Sequence, residues 1–221
     1  MKPAERFTLG KMQNPVRGFL HGGAAVAAVI GGLLLIFEAS TWPSRIALAV
    51  FVLAMVALYT TSSLYHAVPW REVWKGRMQR ADHAMIFVLI SGTYTPVAAF
   101  ALDGTWRWLT LVAVWIVALI GIAQQGFFPR EKNTFAIALM MTLGWSAVAL
   151  MVPVAQNAGF SAAALFAAGG ILYTIGMIIV VTGRPRLWPR VFSSHEVFHV
   201  LVVAASALHF TATWRYLVPI A

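Results

Sequence analysis

Ser193-Ser194-His195-Glu196-Val197-Phe198-His199, followed by the apolar run 200–210, decides how the chain is read. Ser193 and Glu196 have the S-x-x-E spacing of a capping box, which predicts a helix beginning at Ser194. On that helix His195 and His199 lie one turn apart on the same face, about 6 Å from each other. Two imidazoles so placed reach a single metal ion. The apolar run behind them is long enough to cross a bilayer, with Arg215 and Tyr216 near its far end. Ionisable groups at the mouth of a membrane span are costly and point to function. The plainer alternative is a pair of histidines hydrogen-bonding at the water interface.

Composition outside this stretch sets the class. Of 221 residues, 60% are hydrophobic and only 10% charged, where a soluble domain carries roughly 25% charged residues. The expected fold is all-α, a seven-transmembrane helical bundle. Apolar runs at about 17–37, 45–66, 82–102, 106–124, 134–152, 160–182 and 194–217 each approach the length needed to span. Pro153 is expected to end the fifth early. Residues 1–16 read as a cytoplasmic N-terminal segment and 17–221 as a single membrane domain. The first run has no clear small-residue cleavage site behind it and reads as a retained span. The absence of cysteine excludes disulfides and thiolate metal sites. The net charge of +9 does not indicate nucleic acid, because the basic residues lie in short loops between apolar runs, where they orient spans.

Those loops predict the orientation. Lys2, Arg6, Lys11, Arg17, Arg71, Lys75, Arg77, Arg80, Arg130, Lys132, Arg184, Arg186 and Arg190 fall on one side; Arg45, Arg107 and Arg215 fall on the other. Thirteen against three predicts a cytoplasmic N-terminus and an extracytoplasmic C-terminus. Trp70, Trp74 and Trp188 then mark the inner interface, and Trp42, Trp106, Trp108 and Trp214 the outer one. Within 70–80, Trp70, Val73, Trp74 and Met78 recur at helical spacing opposite Arg71, Glu72, Lys75 and Arg77, the pattern of a short amphipathic helix on the inner leaflet. Gly18 and Gly22, and Gly169, Gly176 and Gly183, are spaced for close helix packing. Pro96 is expected to kink the third span or cost it a hydrogen bond.

The predicted orientation brings scattered polar residues to one depth. The last turn of the second span carries Ser62 and His66, just before Pro69. The third span opens with Asp82 and His83, and the seventh with His195 and His199. Three neutral imidazoles from two spans suit zinc and leave a fourth position open for water. Asp82 is then expected to hold that water and accept its proton, with Ser62 bonded to the water or to Asp82. The partial positive charge of the first turn of the last span keeps His195 neutral.

Taken singly, each residue has a plainer reading. Asp82 caps the third span and pairs with Arg77 or Arg80, and His66 hydrogen-bonds at the interface. His83 points about 100° away from Asp82 around the helix and reads as interfacial. His21, at the cytoplasmic end of the first span, has the correct depth to orient a ligand. His209 lies about 15 Å further along than His199 and reads as packing. Glu196 is assigned to the capping box.

Together, Ser62-x-x-x-His66, Asp82 and His195-x-x-x-His199 resemble the polar signature of the hemolysin III-like proteins, the bacterial branch of the progestin and adipoQ receptor family. Asn14 and His21 are similar to that branch's opening pattern, although Pro15 departs from it. The resemblance covers nearly the whole chain. It extends to the alkaline ceramidases, zinc-dependent amide hydrolases of the membrane. It implies Zn2+ on His66, His195 and His199, with Asp82 and Ser62 beside the bound water. It leaves activity open, since the family name records a haemolytic phenotype and receptor relatives sense ligands.

The function expected is a zinc-dependent hydrolase of a lipid amide or ester in a bacterial inner membrane, acting on an amphiphilic lipid and not on nucleic acid. Two rivals stand beside it: a zinc-stabilised sensor or regulator of membrane lipid state without turnover, and a hemolysin-like cytolytic or transport protein. The latter needs polar residues along the full depth of several spans, and the outer halves hold few charges.

Overall fold

A bilayer core offers backbone N–H and C=O groups no partners, so long apolar runs cross it as helices that satisfy themselves. The computed structural model describes residue 9 and residues 12–127, 134–188 and 191–221. Lys2, Arg6, Lys11, Arg130, Lys132 and Arg190, part of the orientation argument, lie outside the described residues. Among the described residues, seven helices are long and apolar enough to span: α1 Pro15–Glu38, α2 Trp42–Ala67, α3 Glu72–Ala101, α4 Gly104–Phe127, α5 Thr134–Ala158, α6 Phe160–Thr182 and α7 Ser194–Ile220. This is an all-α, seven-transmembrane integral membrane protein. The face on which α1 and α7 begin is called the near face below.

Three local expectations need correction. No separate surface helix forms over 70–80; from Glu72 onward these residues are the first turns of α3. With no proline before Pro96, nothing interrupts the hydrogen-bond ladder there. Thirty residues make about 45 Å of helix, against a hydrocarbon core of about 30 Å. The basic turns therefore project beyond the core, with the Arg77 guanidinium over the Trp74 ring at 5.0 Å.

Pro153 does not end the fifth span. Residues Ser146–Leu150 tighten into a 3-10 segment, and the chain resumes as α-helix over Met151–Ala158. Pro153 thus sits in a first turn, where its missing N–H costs least. The Leu143 carbonyl instead accepts from the Tyr94 and Ser146 hydroxyls at 2.8 and 2.7 Å. Arg17, expected among the loop charges, is a buried residue in the first turn of α1.

Between helices the bilayer supplies little hydrophobic drive, so close van der Waals fit and interhelical hydrogen bonds do the work. On α1, a Cβ added at Gly18 would meet the Ala67 Cβ at 2.9 Å, one at Gly22 the Ser63 hydroxyl at 3.1 Å, and one at Gly32 would collide with Val52. As one number rises the other falls, the register of an antiparallel pair. On α6, Gly169 and Gly176 make room for His209 and Phe198 of α7. Gly183 serves another purpose: nothing lies near it, and at φ +65° it is the left-handed cap of α6. α3 runs through Pro96 without ending and contributes to both apolar clusters, through Phe87 and Tyr94 to one and Leu89 to the other.

Because Val52 is β-branched and cannot swing aside, Gly32→Ala is expected to destabilise the bundle by about 1–3 kcal/mol. Gly23→Ala, with nothing within 4 Å, is expected to be neutral or slightly stabilising. Thermal unfolding of both variants in detergent checks the contrast.

Candidate metal centre

Helix ends bring the site together at the near face. α7 begins with the expected capping box: the Ser193 N–H donates to Glu196 Oε2 at 2.8 Å. This fixes the first turn, and with it His195 and His199. α2 ends at Ala67, before Pro69, which leaves His66 in its last turn. One nitrogen from each of His66, His195 and His199 lies within 4.8 Å of the other two. Ring centroids are 4.8 Å apart for His66–His199, 5.5 Å for His66–His195 and 5.0 Å for His195–His199.

The donor set fits a metal ion. The Nε2 atoms of His66 and His199 are buried and meet no hydrogen-bond partner among the described residues, an arrangement that costs free energy unless a ligand supplies the missing interaction. Nitrogens shared by one ion at bonds of about 2.0–2.1 Å lie no more than about 4 Å apart, within a small ring rotation of the distances found.

His21 adds what a ligand needs behind it. His199 Nδ1 lies 2.8 Å from His21 Nε2 and 3.2 Å from His21 Nδ1. With the shared proton on His199 Nδ1, His199 Nε2 is left with its lone pair free, the tautomer that binds metal. His21 is itself buried, with the Tyr59 ring edge-on at 5.1 Å.

Of the other predicted site residues, Ser62 is tied to this group through α2, and Asp82 through Ser62 and His83. Ser62 is buried one turn before His66 and is a hydrogen-bonding neighbour of Asp82. Asp82 is outside the three-histidine group. His83 is close enough to both His66 and Asp82 to interact electrostatically. His209 stands apart: its Nε2 bonds the Phe166 carbonyl at 3.0 Å and its ring packs against Gly169.

The family model described as haemolysin-III related matches residues 10–210. The chain belongs to the haemolysin-III related family. The Hemolysin-3 of Bacillus cereus is 31% identical over 98% of this chain and 97% of its own length. The Hemolysin-3 homolog of Bacillus subtilis is 30% identical over 90% of this chain and 92% of its own. The human monocyte to macrophage differentiation factor is 21% identical over 90% of this chain and 82% of its own. The family expected from the polar residues is therefore the correct one, and the likeness reaches beyond bacteria.

One feature of this family member escaped the sequence. Arg17 Nε donates to Glu196 Oε1 at 2.6 Å, and both side chains are buried. The pair joins residues 179 positions apart; Arg17 carried a signal only as a charge at the start of an apolar run, and that signal has a commoner meaning.

His66→Ala, His195→Ala and His199→Ala are each expected to abolish or greatly weaken metal binding, while His209→Ala retains it. His21→Ala keeps all three ligands and should weaken affinity by about 10- to 100-fold. Elemental analysis and chelator competition on detergent-purified protein read both effects.

Proposed function

We propose that this protein is a zinc-dependent hydrolase of a membrane lipid amide or ester, with the ion held by His66, His195 and His199 near the cytoplasmic face. The observation that carries the reading is the pair of buried, unpartnered Nε2 atoms beside a third imidazole. Zinc suits three neutral imidazoles and keeps a fourth position for the reaction. When bound, it supplies Lewis-acid chemistry, polarising a carbonyl and making water a better nucleophile.

The chain's own groups do the rest. His21 holds His199 in its metal-binding tautomer. The Asp82 carboxylate takes a proton from the attacking water and returns it to the leaving amine or alcohol. The water oxygen joins the acyl carbon as the C–N or C–O bond breaks, which yields a carboxylic acid and the freed amine or alcohol. Ser62 donates to Asp82 and orients it. A lipid with its carbonyl at headgroup depth and its tail along the exposed apolar helix faces meets these groups without leaving the bilayer.

The excess of Lys and Arg on the near side supports a cytoplasmic site in a bacterial inner membrane. The name borne by the Bacillus cereus relative, Hemolysin-3, favours a second reading, a membrane-lytic protein. Clustering of the histidines at one end of the bundle, instead of along its depth, weighs against a pore.

A reporter active only outside the cytoplasm, fused after Ala221, is expected to be active; activity of a cytoplasm-only reporter there would overturn the orientation.

Asp82→Asn is expected to keep the zinc and the fold, since the amide still accepts hydrogen bonds but takes no proton. Lipid turnover should drop by about 10²–10⁴-fold, the usual contribution of a general base. Zinc content and lipid turnover of the variant decide it. Unchanged turnover with zinc retained removes the hydrolase and leaves the ion as a staple.

A further inference from the structure

The ligands come from two helices whose backbones scarcely approach one another: α2 carries His66, and α7 carries His195 and His199. What lies between them is the start of α1. On its α2 side, the Asn14 N–H donates to the His66 carbonyl at 3.0 Å. The Gly18 carbonyl accepts from the Ser63 hydroxyl at 2.7 Å. Both contacts hold the last turns of α2, where His66 is. On its α7 side, Arg17 bonds Glu196 at 2.6 Å and His21 meets His199 at 2.8 Å.

α1 and α7 both start at the near face, so these last two contacts are successive rungs of one ladder. His21 stands about 6 Å beyond Arg17 along α1, and His199 about 4.5 Å beyond Glu196 along α7. Setting the first rung sets the second. Glu196 suits this task because both its oxygens are used: Oε1 takes Arg17, and Oε2 takes the Ser193 N–H. The carboxylate cannot turn without loosening the cap of the turn that carries both α7 ligands.

The geometry points to Arg17 and Glu196 as positioning residues of the metal centre, whose buried ion pair fixes α1 between α2 and α7 and so sets the spacing of His66 from His195 and His199. This rests on the metal-centre reading. Their action on the site runs through His21, through the first turn of α1 and through the capped first turn of α7. A buried pair of this kind contributes little net stability compared with well-packed neutral side chains, so its consequence should appear in metal affinity more than in melting temperature.

The test uses the full chain in detergent, with zinc affinity by chelator competition, the visible spectrum of the Co2+-loaded protein, and Tm. Arg17→Met/Glu196→Gln removes both charges together, and Gln at 196 preserves the capping box. The double variant is expected to melt close to wild type, to bind zinc about 10- to 100-fold more weakly, and to give an altered Co2+ spectrum. Arg17→Lys keeps a charge for Glu196 without the guanidinium geometry, so it carries the comparison should the double variant fail to fold. Reduced zinc affinity in Arg17→Lys at unchanged Tm supports positioning. Wild-type affinity and an unchanged spectrum in the folded double variant, or in Arg17→Lys if the double does not fold, would make the pair a fold staple only and overturn the inference. Wild-type protein that takes up no zinc overturns the metal reading itself, and this inference with it.

Discussion

An imidazole nitrogen sealed inside a membrane protein has no bulk water to turn to, and a lone pair left bare there has to be met by a proton donor or a cation. Three such nitrogens lie among the described residues; His209 Nδ1 stands apart, while those of His66 and His199 face a further imidazole at the near end of this bundle. Much of the local architecture serves that meeting. α2 stops just past His66, α7 starts just before His195, and His21 occupies the remaining nitrogen of His199. The three histidines occupy a helix-end layer where the backbone itself changes from satisfied ladder to exposed caps.

Holding helix ends in register is harder in lipid than in water, because burying an apolar side chain against another helix gains little over burying it in hydrocarbon. The chain meets this with glycines that let α1 lie close along α2, and with directed polar contacts at the ends of the interface. Gly18 illustrates both, with Ala67 packed where a side chain would begin and its carbonyl accepting from Ser63. The same logic places Gly169 under His209, whose ring would otherwise have no room between α6 and α7. His209 is a histidine used for packing and one backbone hydrogen bond; His21, of the same residue type, is tied to the candidate centre. Depth along the helix and the partner across the interface separate the two roles.

Polar and apolar surfaces are divided by depth. Ser62 lies one turn before His66 with Asp82 beside it, while the outward surfaces of α1 and α4 present Ile30, Leu33, Leu34, Val112 and Ile116 to lipid. At the far face the polar contacts are of another sort: Trp214 bonds Glu38, and Arg107 bonds Asp103. These suit anchoring at an interface, and no group of metal-ligating side chains accompanies them among the described residues.

The sequence by itself determined the class, the seven spans and the three histidines. Each depends on a pattern local to the chain: about 20 apolar residues for a span, S-x-x-E for a helix start, four-residue spacing for two side chains on one face. Local pattern also explains its own errors. Pro153 breaks an α-helix, but a 3-10 segment before it makes it a helix start; 70–80 is amphipathic, but nothing separates it from the span that follows. Only the tertiary structure decided that Arg17 is buried against Glu196, that His21 belongs to His199, and that α1 bridges the two helices that carry the clustered histidines. Those pairings join residues at opposite ends of the chain. Periodicity and spacing carry information over a few helical turns, whereas the contacts between α1 and α7 exist only once all seven helices have packed and brought the first beside the last.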